Sequence, residues 1–177
     1  MQDKKVEVTN YYIKTDKKPT KSKAMEVLNL SLSEFEYYGG LIESIQTVRA
    51  LHQSIKNRSG EKYKFNGFRD FYSWYVNEEK VCCYCGTTEK SLETIKSNGW
   101  VTKRGRGSKL EIERVDAISN DYSVNNCALA CYFCNNHKSD VITKDDFSTY
   151  FKEPMRLYLE RLAKIKKVKV QPEAKRL

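Results

Sequence analysis

Leu110-Glu-Ile-Glu-Arg-Val-Asp116 and Tyr122-Ser-Val-Asn-Asn-Cys-Ala-Leu-Ala-Cys-Tyr-Phe-Cys-Asn-Asn-His-Lys138 hold the pattern on which the reading of this chain turns. Leu110 and Ile112 alternate with Glu111 and Glu113, the period of a half-buried strand, and that strand delivers Glu113 and Arg114. Ser119-Asn120-Asp121 is turn chemistry, and it returns the chain to a second apolar run near Cys127 to Ala130. Cys131-x-x-Cys134 then opens a helix with Asn135 at its start. Strand, turn, strand and helix follow within thirty-odd residues.

A second pair of cysteines lies upstream, in Val81-Cys-Cys-Tyr-Cys-Gly86. Cys82 with Cys85 and Cys131 with Cys134 supply four thiolates at the spacing of a closed tetrahedral Zn²⁺ site. Structural zinc of this kind contributes on the order of 10 kcal/mol to the folding of small domains, and here it would fasten the two ends of the motif together. With no open position such a metal does no chemistry. Iron in the same four thiolates is the minor alternative. Cys127 falls in an apolar run and reads as a small core residue; Cys83 reads as a spectator.

The strand end and the helix start, brought together by the zinc, would set Glu113 and Asn135 around one divalent cation. A carboxylate and an amide carbonyl are hard oxygen ligands suited to Mg²⁺ or Mn²⁺. Such an ion stabilises charge on a pentacovalent phosphoryl group and its leaving oxygen. The plain alternative is that Glu113, Arg114 and Asn135 are ordinary strand and helix-cap polars. His137 lies two positions past Asn135, on another side of a helix, and ranks below it as a ligand.

These residues resemble the HNH, or ββα-metal, endonucleases, most of all the PacI-type restriction branch. The shared features are Cys-Tyr-Cys-Gly at 83–86, Ile-Glu-Arg-Val-Asp at 112–116, Tyr-Ser-x-x-Asn at 122–126, and Leu-Ala-Cys-x-x-Cys-Asn-x-x-Lys-Ser at 129–139, with Phe71, Trp74 and Tyr75 upstream. Residues 65 to 150 carry the resemblance. It implies a hairpin and helix around one catalytic ion, with Glu113 and Asn135 as metal ligands and Asn126 bracing the hairpin loop. It also implies Arg114 where most of the family place a general-base histidine, Tyr122 as an active-site tyrosine, and Lys138 on phosphate. The chain departs from the pattern in two respects. The metal-binding acid is usually Asp, and PacI-type enzymes have a further N-terminal four-cysteine site that is missing here. The resemblance therefore says nothing about target specificity.

An arginine cannot be the general base, because its guanidinium stays protonated above pH 12. Arg114 is suited to clamping the scissile phosphate. The base is then Tyr122, its phenol lowered by Arg114 and the ion, or a bulk or phosphate-bound water takes the proton and Tyr122 only positions the nucleophile. Glu61 and Lys62 are further, weaker candidates.

The 177 residues are 40% hydrophobic, and the formal net charge of +9 with a pI of about 9.2 points to a polyanionic partner, double-stranded DNA. No run is long enough to span a membrane and no signal-peptide pattern opens the chain, so a cytoplasmic protein of bacterial or phage origin is expected, where cysteines bind metal and do not form disulfides. The expected class is α+β: a helix-rich chain around a small zinc-stapled ββα-metal core. Residues 1–60 form a basic N-terminal arm and helix, 61–150 the core, and 151–177 a C-terminal helix and basic tail.

Several local expectations follow. Residues 1–24, rich in lysine, read as a solvated leader or a phosphate-tracking arm. Ser31 and Glu34 make a capping box. Leu41, Ile45, Val48, Leu51 and Ile55 predict a helix over 41–56 that stops at Gly60, with His52 on the edge of its apolar stripe. Phe65, Phe68, Phe71, Tyr72, Trp74, Tyr75 and Val76 recur at helical spacing and read as core positions, with stacking on bases as the alternative for the aromatic ones. Leu92 and Ile95 mark a short helix. Lys103, Arg104, Arg106 and Lys109 form a basic loop, either a solvated face or a DNA contact. Thr143 with Asp146 caps a helix, and Pro154 begins another with a stripe of Met155, Tyr158, Leu162 and Ile165.

Two other functions share parts of this signature. A non-catalytic zinc-stabilised DNA-binding module would suit the charge and the cysteines equally well. A zinc nucleobase deaminase would need His-x-Glu or Cys-x-Glu before Pro-Cys-x-x-Cys, and neither is present. A double-strand cut with one active site per chain calls for a homodimer; nicking allows a monomer.

Overall fold

The computed structural model describes residues 2–14, 17–100 and 105–167. Lys103, Arg104 and the basic tail beyond residue 167 lie outside the described residues. The chain divides into two compact units, Met1–Glu78 with Asn120–Asn126, and Glu79–Ser119 with Cys127–Leu177.

The first unit is helical: α1 Gln2–Ile13, α2 Lys21–Leu28, α3 Leu32–Tyr37, α4 Gly39–Ser59 and α5 Phe68–Asn77. The N-terminal segment is not a solvated leader. Val8, Tyr12 and Ile13 of α1 and Ala24 and Leu28 of α2 are buried, Arg49 of α4 donates to the Tyr12 carbonyl, and Lys4 donates to the Leu28 carbonyl at 2.6 Å. Three apolar residues among lysines made too sparse a stripe to be read as a core face. The Ser31–Glu34 capping box forms, and α4 ends at Gly60, whose φ of 55° suits the residue without a Cβ. His52 is wholly buried, not at a stripe's edge, and sits 5.3–5.5 Å from the rings of Tyr63, Phe68 and Phe71. Phe65, Phe68, Phe71 and Trp74 are core, as their spacing predicted, whereas Tyr72 and Tyr75 are half-buried and Val76 is exposed. Residues 120–126 join this unit through backbone pairing: the Tyr122 N–H donates to the Lys62 carbonyl at 2.8 Å and the Lys64 N–H to the Tyr122 carbonyl at 2.9 Å.

The second unit holds α6 Glu89–Ser97, β1 Leu110–Arg114, β2 Cys127–Cys131, α7 Tyr132–Lys138, α8 Lys144–Asp146 and α9 Lys152–Lys164, with a π-helical turn at Phe147–Phe151. The sheet pairs β1 antiparallel to β2, with Glu111 opposite Ala130, Ile112 opposite Leu129 and Glu113 opposite Ala128. Small alanines across from both glutamates leave those side chains room. Thr143 caps α8 by accepting from the Asp146 N–H. The buried face of α9 is Leu159 and Leu162; Tyr158 and Ile165 are exposed, so the expected stripe is displaced. The π turn precedes the whole stripe and leaves the spacing within α9 unchanged; of the expected four, Leu162 is buried, and Leu159 joins it. Pro154 is the third residue of α9, and the carbonyl its ring would crowd, that of Tyr150, belongs to the widened turn. Among the described residues no helix is long and apolar enough to cross a membrane.

Candidate active site and metal centre

The Sγ atoms of Cys82, Cys85, Cys131 and Cys134 all lie within 4.8 Å of one another, and all four residues are buried. Each pair is shaped by a tight turn. The Gly86 N–H donates to the Cys82 carbonyl at 2.8 Å with Gly86 at φ 74°, and the Cys134 N–H donates to Cys131 Sγ at 3.4 Å where β2 becomes α7. The Cys83 N–H donates to the Leu129 carbonyl at 2.8 Å and ties the first turn to β2. A tetrahedral ion with metal–sulfur bonds of about 2.3 Å has sulfur–sulfur edges of about 3.8 Å. Cys85 and Cys131 stand 3.9 Å apart, so the set fits such an ion. Cys83 is outside the set, and burial pushes its thiol up to about 12, which keeps it protonated and inert. Cys127 is buried at the start of β2.

On β1 the side chains two residues apart share a face, and on α7 those three apart do. Strand and helix meet in two rungs. Asn135 Nδ2 donates to Glu111 Oε2 at 3.3 Å, and Lys138 Nζ lies 3.5 Å from Glu113 Oε1. The Tyr84 hydroxyl, from the turn between Cys82 and Cys85, donates to the same Glu113 Oε1 at 3.2 Å. Both donors therefore converge on Oε1 of Glu113. Burial pushes the Glu113 carboxyl up; the Lys138 ammonium and the Tyr84 hydrogen bond hold it down. Burial, and then the Glu113 charge, push the Tyr84 phenol well above its ordinary value. Phe147 of the π turn packs on the Tyr84 ring, with centroids 4.8 Å apart.

The predicted residues are distributed as follows. Glu113 and Asn135 face the same strand–helix seam, yet the amide meets Glu111, to which the sequence alone assigned no role. Lys138 is not a surface residue waiting for phosphate. It is 1% exposed and its ammonium is spent on Glu113. Tyr122 is in the first unit, paired with Tyr63, and the tyrosine found at the carboxylate is Tyr84. Asn126 is buried, and its Nδ2 donates to the Asp121 carbonyl at 3.0 Å across the turn that joins the strands. Arg114 ends β1 and is half-buried. His137 packs against Phe147 and Phe151 at 5.9 and 4.9 Å. Of the basic loop, Lys109 is exposed and Arg106 is engaged with Glu111. Tyr84 could have been found from its place between two metal-type cysteines. Glu111 shares the strand face of Glu113 by simple alternation.

No family model matches the chain. No curated protein matches it either. Among solved structures the chain is similar to the rare-cutting HNH restriction endonuclease PacI, described for an extraordinary mechanism of DNA perturbation. The identity is 25%, the TM-score 0.51, and the match covers 63% of this chain and 79% of that one. The resemblance to the HNH endonucleases carried by the cysteine turns, the acidic strand end and the Cys-Asn-x-x-Lys helix is thus a likeness in three dimensions as well as in sequence.

Proposed function

We propose that this protein is an HNH-type endonuclease that hydrolyses DNA phosphodiester bonds with a divalent cation, on a ββα core stapled by zinc at Cys82, Cys85, Cys131 and Cys134. The observation that carries this reading is the acid–amide seam beside the four thiols. A buried carboxylate, Glu113, has its Oε1 held by Tyr84 and Lys138, on the strand face that meets α7 and its metal-type amide, Asn135. When bound, Mg²⁺ or Mn²⁺ would supply charge stabilisation at the scissile phosphate and its leaving oxygen. Glu113 and Asn135 would hold that ion. Lys138 would keep Glu113 ionised and in one rotamer despite its burial. Arg114 would clamp the phosphate, since its guanidinium cannot take a proton. Asn126 would hold the turn between the strands in shape.

Tyr84 displaces Tyr122 as the tyrosine of choice for positioning the attacking water, because its hydroxyl is on Glu113. As a proton acceptor it is handicapped by its raised phenol, so solvent or a phosphate oxygen would take the proton. Lys103, Arg104 and Lys109 are retained as DNA contacts. The Lys138–Glu113 pair also favours a second reading, a zinc-stapled DNA-binding module in which the neutralised acid holds no ion.

Incubation of the purified chain with supercoiled and linear DNA, with Mg²⁺ or Mn²⁺ against EDTA, separates the two. Metal-dependent cutting is expected, abolished in Asn135→Ala and Arg114→Ala with zinc content intact, and lowered about tenfold or more in Tyr84→Phe, the scale of a lost hydrogen bond to a charged group. DNA binding without cutting on any substrate would leave the binding module.

A further inference from the structure

Arg106 and Glu111 form a two-pronged ion pair: Nε donates to Oε1 at 2.9 Å and Nη2 to Oε2 at 2.5 Å. The guanidinium also lies over the Tyr132 ring, 5.0 Å from its centroid. Glu111 Oε2 receives Asn135 Nδ2 as well, so one carboxylate joins the basic loop to the amide assigned above as an ion ligand. Amide nitrogen and oxygen occupy equivalent positions, and half a turn of the Asn135 amide presents Oδ1 to the Glu111 carboxylate. Both oxygens of Glu111 are hard donors, and both are now taken by the charge of an arginine.

Arg106 is hung between Gly105 at φ 69° and Gly107 at φ 101°, backbone conformations in which a glycine moves at little cost. Its side chain is half exposed, in the loop that also carries Lys109. A guanidinium exchanges readily between carboxylate and phosphate, because its fork fits both.

We propose that Glu111 is a further ligand of the divalent ion, and that Arg106 occupies the ion's place on that carboxylate until a DNA phosphate draws the guanidinium away. This rests on the nuclease reading and adds a rule to it: DNA engagement and ion loading favour each other. By reciprocity the ion raises the affinity for DNA by the same factor as DNA raises the affinity for the ion. An endonuclease so built holds its ion weakly when no substrate is present.

The test is Mn²⁺ titration of the zinc-loaded full chain without DNA, followed by the paramagnetic resonance of free Mn²⁺. Arg106→Gln is expected to bind Mn²⁺ on the order of tenfold more tightly than wild type. Glu111→Gln is expected to bind it more weakly. In the Glu111→Gln background, Arg106→Gln is expected to change nothing, which separates displacement from the general effect of removing a positive charge. Arg106→Gln should also weaken DNA binding and lower its salt slope by about one. An Arg106→Gln chain that binds Mn²⁺ no better than wild type overturns the proposal. So does equal tightening with and without Glu111, or wild-type affinity in Glu111→Gln. Failure of the nuclease reading itself registers elsewhere, as Asn135→Ala that alters neither Mn²⁺ binding nor cleavage.

Discussion

Lys138 and Glu113 are both withdrawn from water, and each has the other as its compensating charge. Removing one member strands the second. Breaking a buried pair in this way costs about 3 kcal/mol or more, whereas replacing both with neutral groups of similar volume costs far less. Glu113→Gln is therefore expected to lower the unfolding free energy by about 3 kcal/mol, and Glu113→Gln with Lys138→Met to recover most of it, as read by denaturant titration of the zinc-loaded chain. Equal losses in the single and double variants would mean that the two charges do not support each other. The residue scale is also where sequence reasoning reached least far. A lysine in Cys-Asn-x-x-Lys and a glutamate at an outward strand position look like surface residues. Their roles follow from which strand face meets which helix face, and no single segment states that. Tyr84 differs, since the two flanking cysteines already held it near the four-thiol cluster.

At the scale of elements, much was legible because the determinants are local. The capping box at Ser31, the stop at Gly60, the alternation at Leu110–Glu113 and the paired Cys-x-x-Cys turns each need only neighbouring residues to be read, and each appears where it was expected. The helix around His52 was placed correctly, and Ile45, Val48 and Ile55 of its expected stripe are buried, but His52 lies within that face and not at its edge. The rings of Tyr63, Phe68 and Phe71, contributed from elsewhere in the first unit, decide that the histidine is inside. In α9 the buried positions are Leu159 and Leu162, and Tyr158 and Ile165 of the expected stripe are exposed. The four-thiol cluster joins two elements that are far apart in sequence, so its loss should act on the whole second unit. Cys134→Ser is expected to remove bound zinc and abolish the cooperative thermal transition of that unit. A cooperative melt at the wild-type temperature would show that the fold needs no metal there.

For the molecule as a whole, the excess of nine positive charges supplies a long-range attraction for nucleic acid but no specificity. Selectivity for a nucleic-acid target has to come from particular side chains. That division explains why the composition could point to a partner class while leaving the target open. It also explains why lysines of the first segment contribute to structure: Lys4 spends its ammonium on a backbone carbonyl and is not available to phosphate.

The strap of residues 120–126 has a consequence for how the protein can be taken apart. Chain order and fold order disagree, because the first unit is completed by a segment encoded after β1. No single scission divides the protein into its two units. A cut after Glu78 yields one fragment that lacks the strap and another that carries it with nothing to pair against. Two polypeptides, 1–78 and 79–177, are therefore halves of a complementation pair, expected to copurify when expressed together and to lose that association when Tyr122 is replaced by proline, which has no N–H to offer Lys62.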